Sequence, residues 1–341
     1  MTKLLYGVSP IGLGHSSRAV AIGTELLERG AEVTFATGGP AVAFLRSYGF
    51  EVFDVVTEPN PIIWNGRNVL PSLWYYRYWR GYKASKTRAR RVAEELKPDC
   101  VVGDEEFSVL SVALEKGLRA IMISDELELG FARTFLSRSI ESRVARWYKE
   151  LQTSVDLLVV PEEGSDEGKL WHSGPVVRKV TAGRDETRKS LGLPLEGALI
   201  LLTLSGSGSG SHLIPAVESA VESAGLSATV AVAGGRGGPA QGRTRHLGFV
   251  RDLQNLVAGA DLCVSLAGKS TIDEALSAGT PMIALPLKDH FEQEANAKAL
   301  GFTHGDIARL GPLMVDRLGR RQPPRKYDGA VKAAVRILEM C

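Results

Sequence analysis

Short apolar runs alternate with longer stretches of helical periodicity from one end of the chain to the other. In the first half the runs are Leu4–Val8, Glu32–Ala36, Val52–Val56, Cys100–Val102, Ala120–Ile123 and Leu157–Val160. Between them the pattern predicts helices over Ser16–Arg29, Ala41–Tyr48, Ala84–Leu96, Phe107–Lys116 and Phe131–Gln152. The second half restarts with Leu199–Leu204, Thr229–Ala233, His246–Phe249, Leu262–Ser265 and Met282–Leu285. Strands alternating with helices throughout predict doubly wound α/β structure. Gly174–Pro194, charged and punctuated by Gly and Pro, reads as an interdomain linker carrying a short amphipathic helix, Asp185–Leu191. The expected architecture is two Rossmann-like domains, residues 1–175 and 176–341, facing across a cleft. The last helix is a candidate to pack back on the first domain.

Composition changes this picture little. The chain has 341 residues, enough for two cores, with 44% apolar and 23% charged residues and a net charge of +2. No apolar run reaches the ~18 residues that would span a bilayer. The first strand starts almost at the N-terminus, so no signal peptide is expected. Cys100, Cys263 and Cys341 share no metal-ligand spacing. Cys100 and Cys263 lie in strand-like runs and are expected to be buried, reduced thiols of a cytoplasmic protein.

The densest chemistry lies between Asp261 and Ala297. One apolar run stops at Ala267-Gly268, where Ser270-Thr271 open a helix carrying Glu274; another stops at Pro286, followed by Asp289, His290, Glu292 and Gln293. In a parallel sheet both stops fall at carboxyl ends of strands, the edge where such sheets bind ligands. Amides at a helix start suit a phosphate, and a carboxylate one turn further along suits a ribose diol. That is the chemistry of a sugar nucleotide.

Two glycine loops follow the first strand of each half. Ser9 to His15 contains Gly12 and Gly14 and reads as a tight βα turn, but His15 at the helix start is well placed for proton transfer. Leu204 to Ser211 alternates Gly and Ser, so Ser207, Gly208 and Ser209 offer amides and hydroxyls to a diphosphate; a flexible linker is the bland alternative. Gly268-Lys269-Ser270 lacks the upstream glycine of a P-loop, which argues against kinase or ATPase chemistry.

Together these residues resemble the GT-B glycosyltransferases that use nucleotide sugars, most closely the MurG-type transferases of glycosyltransferase family 28 and the UDP-glycosyltransferase superfamily. The resemblance covers nearly the whole chain and is strongest over Gly248–Ala297. It implies that Glu274 binds the ribose hydroxyls, that Gly268, Ser270 and Thr271 face the diphosphate, and that Glu292 and Gln293 contact the donor sugar, with Asn296 completing the pattern. It places Phe249 and Val250 at the base, and Gly12, Gly14 and His15 on the acceptor side. Asp104 lies where many members keep the aspartate that orients the catalytic histidine, although Asp104-Glu105-Glu106 also reads as a solvated acidic turn. Leu266 stands where the family has a phosphate-binding His or Arg, a contact that Lys269 or Arg251 would have to replace.

From Ile62 to Arg91 there are eight basic residues and no acidic one, interleaved with Trp64, Trp74, Tyr75, Tyr76, Tyr78, Trp79 and Tyr82. Such a segment suits the headgroups of an anionic membrane, with an aromatic acceptor pocket or core cap as the bland reading. A second basic stretch, Arg133 to Lys149, could extend the same face. Nucleic acid would accept the patch as well but is not the expected partner. The sequence therefore predicts an inverting, metal-independent transferase, peripheral at the inner face of the membrane. It would move a hexose or N-acetylhexosamine from a UDP-sugar to an acceptor hydroxyl, a membrane lipid or lipid-linked sugar among the candidates. No Asp-x-Asp motif is present, and neither metal nor cofactor is expected. A UDP-sugar 2-epimerase and a non-catalytic sugar-nucleotide-binding subunit are the alternatives.

Overall fold

A computed structural model describes residues 1–57, 59, 63–64, 67–68, 71–125, 135–204, 210–288 and 290–341. In chain order the first elements are β1 (Lys3–Val8), α1 (Gly14–Glu28), β2 (Glu32–Thr37), α2 (Pro40–Ser47), β3 (Glu51–Asp54), β4 (Ile63–Trp64), β5 (Arg67–Asn68) and α3 (Pro71–Leu96). Next come β6 (Cys100–Asp104), α4 (Phe107–Lys116), β7 (Arg119–Ile123), α5 (Phe135–Ser154), β8 (Leu157–Val160) and β9 (Leu170–His172). The second run is α6 (Arg184–Ser190), β10 (Ala198–Thr203), α7 (Leu213–Ser223), β11 (Ala228–Ala233), β12 (Thr244–Gly248), α8 (Leu253–Gly259), β13 (Leu262–Ser265) and α9 (Lys269–Ala278). It closes with β14 (Met282–Ala284), α10 (Phe291–Ala299), a 3₁₀ turn (His304–Arg309), α11 (Leu310–Arg317) and α12 (Gly329–Met340).

The chain forms two compact units, Met1–Val176 with Tyr327–Cys341, and Val177–Lys326. The first holds a parallel sheet ordered β3-β2-β1-β6-β7-β8-β9. Its residues alternate between two apolar layers: Leu4, Tyr6 and Val8 on one face, Leu5, Val101 and Met122 on the other. Burial on both faces is why these strands read as continuous apolar runs. α12 belongs to this unit and adds Ala330, Ala333, Ala334 and Ile337 to its core. Edge strand β9 had no counterpart in the sequence reading, because three half-buried residues carry too little pattern.

The second unit holds a parallel sheet ordered β12-β11-β10-β13-β14 around one core. α6 occupies the expected linker, but its Arg188 is buried rather than solvated. Arg188 donates to the carbonyls of Gly197 and Gly259 and to Asp261, tying the segment to this unit.

Both sheets reverse direction of winding at one place. β1 lies between β2 and β6, and β10 lies between β11 and β13. Such a switch point opens a crevice at the carboxyl ends of the two central strands, the usual ligand position in open parallel sheets. Val8 pairs with Asp104 at one, and Thr203 with Ser265 at the other.

Cys100 is not a reduced thiol; it is bonded to Cys341, with Cα atoms 5.4 Å apart. The return of α12 to the start of β6 brings the pair together, and nothing local in the sequence announces that return. The bonded pair removes reduced thiols as a pointer to a cytoplasmic protein. Cys263 is free and buried, and burial, with Glu274 nearby, pushes its thiol up to about 12.

Candidate active site

The β1–α1 turn is built for a close approach to β6. Gly12 has φ of 70°, a left-handed conformation that costs glycine nothing, and the amide of Ser9 donates to the Asp104 carbonyl at 2.9 Å. α1 then starts at Gly14, which sets His15 in its first turn, at the carboxyl edge of the sheet. Its Nδ1 lies 3.1 Å from Asp104 Oδ1. Asp104 is fully buried, and His15 keeps 20% of its side-chain surface exposed.

Asp104 also binds a residue the sequence reading passed over. Arg18 Nε donates to Asp104 Oδ2 at 2.8 Å and Arg18 Nη2 to Oδ1 at 2.5 Å. Arg18 Nη1 donates to Asp125 Oδ1 at 2.5 Å, just past the end of β7. The signal was available: Arg18 follows His15 by three positions and so shares its helical face.

Burial alone would push the Asp104 carboxyl up, but Arg18, and His15 after it, hold it below its usual range. For His15, desolvation pulls the pKa down; the Asp104 hydrogen bond and charge outweigh it, Glu105 adds to them and Arg18 opposes. The balance raises the ring to about 9.

The solvated acidic turn does not form here. Glu106 is buried and caps α4, accepting from the Ser108 amide at 3.1 Å and the Val109 amide at 2.7 Å. Burial raises its pKa against those bonds. Glu105 adopts φ of 48°, unusual for a side-chain-bearing residue, and accepts from Ser124 Oγ at 2.7 Å.

In the second unit, Gly268 precedes α9 and Ser270 and Thr271 fall in its first turn, half-buried at the end of β13. The first amides of a helix lack intrahelical partners and favour an anion. Glu274 is buried, and Arg178 Nε donates to its Oε1 at 2.9 Å; a ribose would share this carboxylate with the guanidinium. Arg178 Nη1 also donates to the Arg251 carbonyl at 2.9 Å, which links Glu274 to the turn after β12.

That turn holds Phe249, exposed, and Val250, which packs on the core. Gly248 sets it up, with φ of 66° and a missing Cβ that would come 2.9 Å from the Gly237 amide. On α10, Gln293 Oε1 accepts from the Leu287 amide at 3.0 Å, while Glu292 is exposed. Asn296 donates to the Ala267 carbonyl at 3.2 Å, joining α10 to the turn before α9. Ser207, Gly208, Ser209 and Asp289 lie outside the described residues.

Leu266 is buried in the core, so its side chain takes no part at the edge. Of the two cations named as its replacements, Lys269 reaches Asp273 at 2.5 Å and Arg251 reaches Asp252 at 2.7 Å.

Residues 202–308 match the glycosyltransferase family 28 C-terminal domain. The fold is GT-B, and the family resemblance is to glycosyltransferase family 28. The chain is 20% identical to the glycosyltransferase of kitacinnamycin, covering 99% of this chain and 98% of that one at a TM-score of 0.65. It is 16% identical to MurG of Acinetobacter baumannii, covering 99% and 95% at a TM-score of 0.57. An uncharacterized glycosyltransferase of Methanosarcina acetivorans is 25% identical over 320 residues, 86% of this chain and 82% of its own. The UDP-N-acetylglucosamine–N-acetylmuramyl-(pentapeptide) pyrophosphoryl-undecaprenol N-acetylglucosamine transferase of Methylorubrum extorquens is also 25% identical, over 94% of this chain and 89% of its own.

α3 divides the basic aromatic segment in two. Toward its C-terminal end, Lys86 and Arg90 pair with Glu115, and Arg88 donates to the Val55 carbonyl at 2.8 Å. Those cations are structural. Toward its N-terminal end Leu73, Tyr76 and Trp79 are exposed, Arg80 lies 6.0 Å from the Tyr76 ring centre and Lys83 lies 5.3 Å from that of Trp79. Tyr82, on the inner side, donates to Ser111 Oγ at 2.7 Å. The side chains of Trp64, Trp74 and Tyr75, like those of residues 126–141, lie outside the description. No described helix is long and apolar enough to cross a membrane.

Proposed function

We propose that this glycosyltransferase is an inverting enzyme that moves a hexose or N-acetylhexosamine from a UDP-sugar to an acceptor hydroxyl without a metal. The His15–Asp104 pair at the β1/β6 switch point carries the reading. Asp104 accepts a hydrogen bond from the Nδ1–H, which keeps the proton on Nδ1 and leaves the Nε2 lone pair for the acceptor hydroxyl. As Nε2 removes that proton, the acceptor oxygen forms a bond to the anomeric carbon. The bond from that carbon to the UDP oxygen breaks on the opposite face, and UDP leaves with the electron pair.

The second unit supplies the donor site in this reading. Amides at the start of α9 face the diphosphate, Glu274 the ribose, the Phe249-Val250 backbone the base, and Glu292 and Gln293 the sugar. Charge on the leaving group falls, in this reading, to helix ends and loop amides. UDP and a lipid-linked acceptor are supported by the name of the Methylorubrum relative, and N-acetylglucosamine is the first sugar to try. The exposed Leu73, Tyr76 and Trp79, with Arg80 and Lys83 beside them, suit a protein lying on the inner face of an anionic membrane.

Two measurements test this. UDP should raise the melting midpoint of the protein while NAD and ATP do not, since a ligand that binds only the folded state stabilises it by mass action. His15→Ala should keep that response and lose turnover by about 10²–10⁴-fold. Unchanged turnover would remove His15 from the mechanism.

A further inference from the structure

The Asp104 carboxylate does not serve His15 alone. Arg18 spends two of its hydrogen bonds on both oxygens of Asp104 and a third on Asp125. Its Nη2 also stands 3.1 Å from His15 Nδ1, the same distance as Asp104 Oδ1. A guanidinium only donates, so that second contact forms only when Nδ1 carries no proton.

The neutral ring therefore has two competing arrangements. With the proton on Nδ1, the ring donates to Asp104 and Nε2 is free to act as a base. With the proton on Nε2, Nδ1 accepts from Arg18 and the ring is no base at all. We propose that Arg18 is a positioning residue that sets the tautomer and basicity of His15, and that Asp125 is the counter-charge that tunes Arg18. This rests on the reading of His15 as the base.

Among the described residues, the charged groups that act on the ring come from several elements. Asp104 and Glu105 come from β6 and the turn after it, Arg18 from α1, and Asp125 from the turn after β7. The Tyr6 phenol of β1 is buried beside Asp104. Arg18 is nearly buried and its charge poorly screened, whereas Asp125 is 35% exposed. A simple His–Asp pair would hold the imidazolium with the full carboxylate charge. Here a cation at hydrogen-bond distance from both partners subtracts from that hold, so the ring can still give up its proton to become a base.

The test is direct titration of His15 by imidazole nitrogen NMR on the full chain, with His15→Gln assigning the signal. Arg18→Met should raise the His15 midpoint by about one pH unit or more, because a neighbouring charge within hydrogen-bond reach shifts a pKa by that amount. Arg18→Lys should return it toward the parent value. Asp125→Asn should lower the midpoint and increase the Nε2–H tautomer, as the guanidinium turns its undivided charge on the ring.

Midpoints unmoved by both Arg18→Met and Asp125→Asn would overturn the proposal, and so would a lower midpoint in Arg18→Met or a higher one in Asp125→Asn. Should Arg18→Met not fold, Asp125→Asn decides alone. The UDP melting experiment separates the two readings. If UDP fails to stabilise the protein while the midpoints move as expected, the transferase reading falls and the Arg18 clamp stands. A UDP response with immobile midpoints removes only the clamp.

Discussion

His15 holds its proton more tightly than a free imidazole, and this has consequences for both rate and stability. With the ring raised to about 9, most of it is protonated at neutral pH and cannot serve as a base. kcat/KM should therefore climb through neutral pH and level off only above about 9. An acid limb near the ordinary histidine value of about 6.5 would show that Asp104 does not act on the ring as the geometry implies. The sign for stability is opposite. A folded-state pKa above the unfolded one means this group's stabilisation is complete below about 6.5 and lost as pH rises through about 9.

Glu274 offers a second expectation at the same scale. Glu274→Gln weakens a nearly dry ion pair and leaves Arg178 short of counter-charge, which should cost about 3 kcal/mol by denaturant unfolding. If the carboxylate also binds ribose, the UDP-induced rise in melting midpoint should shrink in the same variant. A full UDP response in the destabilised protein would assign Glu274 to folding alone.

At the scale of elements, α3 combines a docked half and an exposed half. Replacing Tyr76 and Trp79 with Ser should weaken flotation on phosphatidylglycerol-containing vesicles about tenfold, the order of magnitude of partly burying one aromatic side chain. Replacing Lys86 and Arg90, which pair with Glu115, should change flotation far less. Equal losses from both pairs would mean that net charge, not the exposed aromatic stretch, holds the vesicle.

The elements were largely legible in the sequence because their signals are local. β10 and β13 are continuous apolar runs, and Gly268 with Ser270 and Thr271 marks the start of α9 within a few residues. What escaped depends on distant neighbours. Arg18 reads as one more helical cation until β6 and β7 bring Asp104 and Asp125 to it. Arg178 lies in a segment that reads as linker, and only the packing of α9 makes it the partner of Glu274. Glu106 reads as a solvated charge because a helix cap shows itself only once the helix exists.

For the whole molecule, the Cys100–Cys341 bond spans 241 residues of chain and fastens α12 to the start of β6. Cys341→Ser should lower stability by about 2–4 kcal/mol in urea unfolding without reductant, and the parent protein in reductant should match it. Equal stability of all three would mean that packing of α12 alone holds the end of the chain.

α12 bears on synthesis as well. Its four core residues fill a layer laid down by strands made well over a hundred residues earlier. Emerging from a ribosome, residues 177–326 form a contiguous stretch that can complete its own sheet, while the earlier unit waits with a bare apolar stripe along α1. The unit that carries His15 is completed only after residues 177–326 have been made.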